Sequence, residues 1–153
     1  MAYTDKDLFL KWWGDAWDAG LWAAAWSKSV EGLAPEQAAW QPAGRDTAPH
    51  HSIWQIVEHM IFWRENWLGR LDGGPRPTET ELKSSNFPQP GDVSDRAWAD
   101  ARRRLKESHD QVAAAVRDRY DIAAPMMWFL PHDCYHMGQI NYLRALQGLS
   151  PID

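Results

Sequence analysis

Along the chain, apolar residues recur at the three- and four-residue spacing of an amphipathic helix in four stretches, separated by segments rich in proline, glycine and alanine. The first stretch opens on Thr4 and Asp7, a pair with capping-box spacing. It carries Leu8, Trp12, Ala19, Trp22, Trp26 and Val30 on one face, which predicts a helix over residues 5–31. Leu10, Trp13, Trp17 and Leu21 form a second apolar stripe on the same segment. A helix apolar on two sides buries both, against other helices or against a second subunit. The segment GLAPEQAAWQPAGRDTAPHH shows no sustained period and reads as a connection. Ser52 and Gln55 repeat the capping spacing, and Ile53, Ile56, Val57, Met60, Ile61, Trp67, Leu68 and Leu71 predict a second helix to about Leu71.

From DGGPRPTE to FPQPGDVS four prolines and three glycines exclude a regular element, which leaves a loop of about 20 residues. An extended segment of that length can cover the roughly 30 Å of a 20-residue helix. The third helix can therefore start beside the beginning of the second and run parallel to it. It begins after Ser94, shows Trp98, Ala101, Leu105, Val112 and Val116 on one face and runs to about Ile122, with Pro125 ending it. The last helix is expected from about Trp128 to Gln147, with Pro131 tolerated in the first turn and Gly148 closing the end. The pattern predicts an all-α fold, a four-helix bundle with one long crossover between helices two and three, in a single domain over residues 1–153.

Charge and composition narrow the partners. With 16 Lys and Arg against 21 Asp and Glu, the formal net charge is -5, and no basic field is available to hold a nucleic-acid backbone. The start, MAYTDKDLFLKWW, carries acids where a secretory signal has basic residues, and no apolar run approaches the roughly 20 residues that span a bilayer. A cytoplasmic protein with no membrane partner is expected. The single cysteine, Cys134, excludes an intrachain disulfide and a Cys-rich zinc site, leaving His, Asp and Glu as metal ligands. The 11 tryptophans bear on packing and partners rather than on chemistry.

The candidate chemistry lies in HDCYHMGQI, residues 132–140. At about 100° per residue, Trp128, Phe129, Tyr135, Ile140, Tyr142, Leu143 and Leu146 gather in one sector with His132 and His136 near its centre and Gln139 beside them. Cys134, Met137 and Asn141 point the other way. Desolvating two imidazoles is costly without partners, and one divalent metal uses both lone pairs at once. The spacing differs from the zincin H-E-x-x-H, because position 133 is Asp and residues 137–153 offer no further ligand except Asp153. A third ligand should come from an earlier helix. His59 lies at the edge of the apolar face of helix two, beside Trp63, and His109 lies well inside that of helix three; periodicity slightly favours His109 and leaves the choice open. His50 and His51 fall in a polar connection, where a solvated or capping role is expected.

The other polar residues have two readings each. Glu58 and Asp133 point about 100° away from their neighbouring histidines, although Asp133 can accept a ring N–H. Arg64, amid the apolar face of helix two, either pairs with a carboxylate while packing its stem or presents its fork to an anionic thiol or substrate. Gln139 can hydrogen-bond substrate or a water on the metal, or brace a neighbouring helix backbone.

HSIWQIVEHMIFWRENWLGRL followed by HDCYHMGQINYLRAL resembles the DinB/YfiT-like superfamily, and GLAPEQAAWQP resembles that family's link between its first two helices. The resemblance covers most of the chain, with the loop from 72 to 94 as its least constrained part. It implies a four-helix bundle in which His59, His132 and His136 bind one divalent ion, Zn, Ni or Fe, with His109 left as a core or near-site residue, and it implies a homodimer. Members of the family include proteins that resemble thiol-dependent S-transferases, a mycothiol-dependent isomerase and many with no assigned activity. The expected function is therefore metal-dependent S-transfer, in which a low-molecular-weight thiol activated at the metal attacks an electrophilic small molecule, with Gln139 and Arg64 as candidate catalytic residues. The alternatives are a hydrolase that activates water at the metal, and a non-enzymatic, metal-stabilised binding or stress-response protein.

Overall fold

Thr4 caps α1 (Asp5–Asp18): its hydroxyl accepts from the Asp7 backbone N–H, and the Asp7 carboxylate accepts from the Thr4 N–H. The computed structural model describes residues 4–43, 50–119, 126–150 and 152. The helix predicted over 5–31 is in fact two. The chain leaves α1 at Asp18, turns at Gly20 with φ +75°, and re-forms as α2 (Trp26–Val30). Gly20 is needed there, since a Cβ at that position would lie 2.3 Å from the Ala23 carbonyl oxygen. The turn folds α2 back onto α1, with Trp13 and Trp26 edge to face at 5.2 Å.

This break reverses the predicted stripes. Phe9, Trp13, Ala16 and Trp17 form the core face of α1, so two residues of the second stripe are interior. Trp12 is half exposed and Trp22 is 100 % exposed, while Trp26 and Val30 reach the core only by way of α2.

The predicted first connection contains a short α3 (Pro35–Ala39), with proline in its first turn and the Ala34 N–H donating to Gln37 Oε1. The second long helix, α4 (Ile53–Leu71), starts at the Ser52–Gln55 capping box, as predicted. The predicted 20-residue loop is also not wholly irregular: Thr78 and Glu81 form a capping box at the head of α5 (Glu79–Ser85). Ser94 caps α6 (Asp95–Asp118); the predicted end near Ile122 lies outside the described residues. The last helix is α7 (Phe129–Leu146), closed by Gly148 at φ +71°.

The crossover gives the predicted parallel pair. Trp54 packs on Trp98, Glu58 pairs with Arg104, Arg64 reaches Leu105 and Ser108, and Arg119 donates to the Leu71 carbonyl, so α4 and α6 ascend together. Against α4, α7 descends: His59 meets His136 and His132, Arg64 meets Asp133, and Trp67 meets Phe129. Helix α1 runs antiparallel to α6, with Lys6 on the Arg117 carbonyl and Trp13 on His109. Among the described residues the architecture is all-helical, with α1, α4, α6 and α7 running down, up, up and down around one core.

One assignment on α7 is corrected. Met137, placed by periodicity on the side away from the core, is 1 % exposed within it, together with Leu130, Asp133, Ile140 and Leu143. Trp128, Tyr135, Tyr142 and Leu146 are exposed instead. Aromatic side chains that line an open cleft have the same periodicity as a buried face, so the pattern merged cleft wall and core.

Candidate metal centre

Helix α7 presents His132 and His136 one turn apart toward α4, and α4 presents His59 to them. One ring nitrogen from each lies within 4.8 Å of the other two. His59 and His136 are buried and His132 is partly open.

Each ring is held through its other nitrogen. His59 Nδ1 donates to Asn86 Oδ1 at 2.8 Å, His132 Nδ1 to Asp133 Oδ1 at 2.8 Å, and His136 Nδ1 to Gln139 Oε1 at 2.7 Å. The three acceptors put the proton on Nδ1 and leave Nε2 as a bare lone pair. His59 Nε2 and His132 Nε2 then face each other at 3.2 Å. Two lone pairs at that separation repel, and a cation among the three nitrogens turns the repulsion into coordination. Burial and the neighbouring His136 hold the His59 pKa at about 4, and burial lowers that of His136, so these rings are neutral ligands at pH 7 without shedding a proton. The donor set fits one divalent ion at His59, His132 and His136.

Asp133 is the centre of a second network. Its Oδ2 accepts from Arg64 Nε at 2.9 Å and Nη2 at 2.6 Å, while Arg64 Nη1 donates to the Leu105 carbonyl and to Ser108 Oγ, each at 3.0 Å. Both charged side chains are 0 % exposed. Arg64 therefore takes the first of its two predicted roles: it pairs with a carboxylate inside the bundle and does not line the cleft. It reaches the candidate ligands only through Asp133, which ties α4, α6 and His132 together.

Asn86 was not found from the sequence. It follows α5, in the segment expected to be least constrained, yet it accepts from both His59 Nδ1 and Trp63 Nε1, the latter at 2.9 Å. The next residue, Phe87, stacks on His59 at 4.0 Å and on His51 at 3.8 Å. Asn86→Ala removes the shorter of the two acceptors on His59 Nδ1 and leaves the Asn86 backbone carbonyl at 3.2 Å, and it is expected to weaken metal affinity by about tenfold at most, read by competition with a chromophoric chelator.

The remaining candidates separate clearly. His109 is not with the other three: it stacks on Trp13 at 4.6 Å and on Trp17 at 4.8 Å in the core, where burial pushes its pKa down to about 2. His51 is half-buried on Phe87 rather than simply solvated, and both His50 and His51 border the site. Gln139 does not brace another helix's backbone; it accepts from His136, donates to the Tyr135 hydroxyl at 3.0 Å and borders the cleft. Glu58 pairs with Arg104 on the α6 side. Cys134 is exposed on α7 outside the His cluster, with partial desolvation and the nearby Asp133 carboxylate raising its thiol pKa.

Beside the three histidines opens a cleft of about 790 Å³, bordered by Ile56, Phe87, Tyr135, Tyr142, Leu143 and Leu146 together with the histidines and Gln139. Its walls are mostly apolar, and no Asp or Glu borders it among the described residues. No helix of the described structure is long and apolar enough to cross a membrane.

Comparison with known proteins agrees with the helical architecture. No curated protein and no solved structure matches the chain. The sequence profile of the DinB superfamily matches residues 22–147, a span that contains α2 through α7, the three histidines, Asn86 and Asp133. The chain belongs to the DinB superfamily.

Proposed function

We propose that this protein is a metal-dependent S-transferase that joins a low-molecular-weight thiol to an electrophilic small molecule. The observation that carries the reading is the set of three Nε2 lone pairs, each freed by an acceptor on Nδ1, at the wall of an apolar cleft without carboxylates among its described residues. A divalent cation, Zn, Ni or Fe, supplies Lewis acidity that lowers the pKa of a thiol within its reach and so provides a nucleophile at neutral pH.

The chain's own residues do the rest. His59, His132 and His136 hold the ion, with Asn86, Asp133 and Gln139 fixing the rings. The apolar walls from Ile56, Leu143 and Leu146 take the electrophile and displace water from it, which favours sulfur attack over hydrolysis. The sulfur forms the new bond to carbon, the leaving group departs with the old bonding pair, and the thiol proton passes to solvent. Arg64 serves as a positioning residue through Asp133, and Gln139 as one through His136. Hydrolysis is less well served, because a carboxylate base to take the water proton is lacking among the described cleft residues.

The test loads the purified protein with Zn(II), Ni(II) or Fe(II) and follows conjugation of small thiols, glutathione and cysteine among them, to 1-chloro-2,4-dinitrobenzene. Metal-dependent turnover that disappears in His59→Ala is the expected result. Ester hydrolysis at that metal without thiol transfer would replace this reading with the hydrolase. Metal binding with neither activity would leave a metal-stabilised binding protein. A homodimer is part of the same proposal, checked by light scattering.

A further inference from the structure

His132 forms a wall of two cavities. On one side is the cleft described above; on the other is a niche of about 340 Å³ bordered by Trp63, Trp67, Trp128, Phe129 and His132. The walls are held by contacts that also reach the candidate ligands: Trp63 lies edge to face with His59 at 6.4 Å, and Phe129 lies edge to face with His132 at 6.5 Å and with Trp67 at 6.4 Å. The Trp63 indole N–H is already donated to Asn86. Trp128, 77 % exposed, is the outer wall, just ahead of α7. Four aromatic rings around an open concavity leave apolar surface in water that packing elsewhere in the bundle has removed, which is the signature of a binding place rather than of a core.

We infer that this niche binds a neutral, planar aromatic ring of the electrophilic substrate, seated behind His132 while the reactive carbon reaches the cleft side of the same imidazole.

Charge decides against other ligands. Among the described residues no carboxylate borders the niche to offset a cation, Arg70 already holds a guanidinium 4.4 Å from the Trp67 ring centre, and the three histidines are built to hold a dipositive ion close by. An anion finds no Lys or Arg among the described lining residues, and the ring N–H groups of Trp63 and His132 are already donated, to Asn86 and Asp133. What remains is offset or edge-to-face stacking with a ring, which every wall can supply. The inference deepens the S-transferase reading by naming the substrate class, and it rests on that reading for the ring to belong to an electrophile.

Binding, not turnover, tests it. The probe is 4-fluorobenzyl alcohol, which has the ring and no leaving group, titrated into metal-loaded protein and followed by 19F NMR, with cyclohexylmethanol as competitor and the 4-fluorobenzylammonium ion as charged counterpart. Saturable binding of the alcohol is expected, about tenfold weaker in Trp128→Ala, unchanged in Trp22→Ala, hardly displaced by cyclohexylmethanol and weaker for the ammonium ion. Trp128 and Trp22 are both exposed, so neither variant threatens the fold. Equal affinity in Trp128→Ala, tighter binding of the ammonium ion, or no saturable binding overturns the inference. Ring binding lost in Trp128→Ala without thiol transfer in any assay would leave the niche standing and refute the S-transferase. Thiol transfer without ring binding would do the reverse.

Discussion

Asp133→Ala is expected to cost about 3–5 kcal/mol of folding stability, because it leaves the Arg64 guanidinium charged and unpaired in the interior. Both partners are fully buried, and Arg64 has no route to solvent from among Leu105, Ser108 and Trp13, the last with its ring 5.1 Å from the guanidinium carbon. A fall in the urea midpoint with an unchanged slope would report the loss. The double variant Arg64→Met with Asp133→Leu removes both charges at similar volume and is expected to recover most of the stability. It should not recover metal affinity, since His132 Nδ1 still lacks its acceptor; a loss on the order of 10–100-fold is expected there. If the double variant restored full metal affinity, Asp133 would be a packing residue and not a determinant of the His132 ring.

His59→Ala is expected to abolish metal binding while leaving the bundle folded. The core of Phe9, Trp13, Ile53, Trp98, Leu105, Val112 and Ile140 closes without the three histidines, so the ion is not what the helices need in order to pack. The metal-free parent should therefore keep its helical circular dichroism. Added ion should raise stability by mass action, about 2.7 kcal/mol at a free concentration a hundred times Kd, and the increment should vanish in His59→Ala. Collapse of helicity on chelation would make the ion structural and remove the reason to look for chemistry in the cleft.

What was legible in the sequence followed local physics. Thr4, Ser52 and Ser94 mark helix starts because a cap is made within three residues, and Gly148 marks an end because it closes the last turn within the same few residues. The same signal was present at Thr78 and Glu81, where surrounding prolines outweighed it. The break at Gly20 was not legible: the alanines that follow favour helix, and the turn that Gly20 permits is selected where α2 packs onto α1. His109 looked better than His59 because periodicity measures burial, whereas a ligand needs a lone pair that faces its fellows. The Trp13 and Trp17 rings enclose His109, while Asn86 turns the His59 ring toward α7. No local pattern could place Asn86, 27 residues downstream of the ring it holds.

The central claim is one divalent ion on His59, His132 and His136, and elemental analysis of metal per chain tests it most directly. The protein is prepared without chelator, beside His59→Ala, His132→Ala and His109→Phe, the last chosen to keep a ring stacked on Trp13. About one ion per chain, lost in the first two variants and kept in His109→Phe, is the expected result. No ion in the parent even after reloading with Zn(II) or Ni(II), or an ion that survives His59→Ala and leaves with His109→Phe, would contradict it.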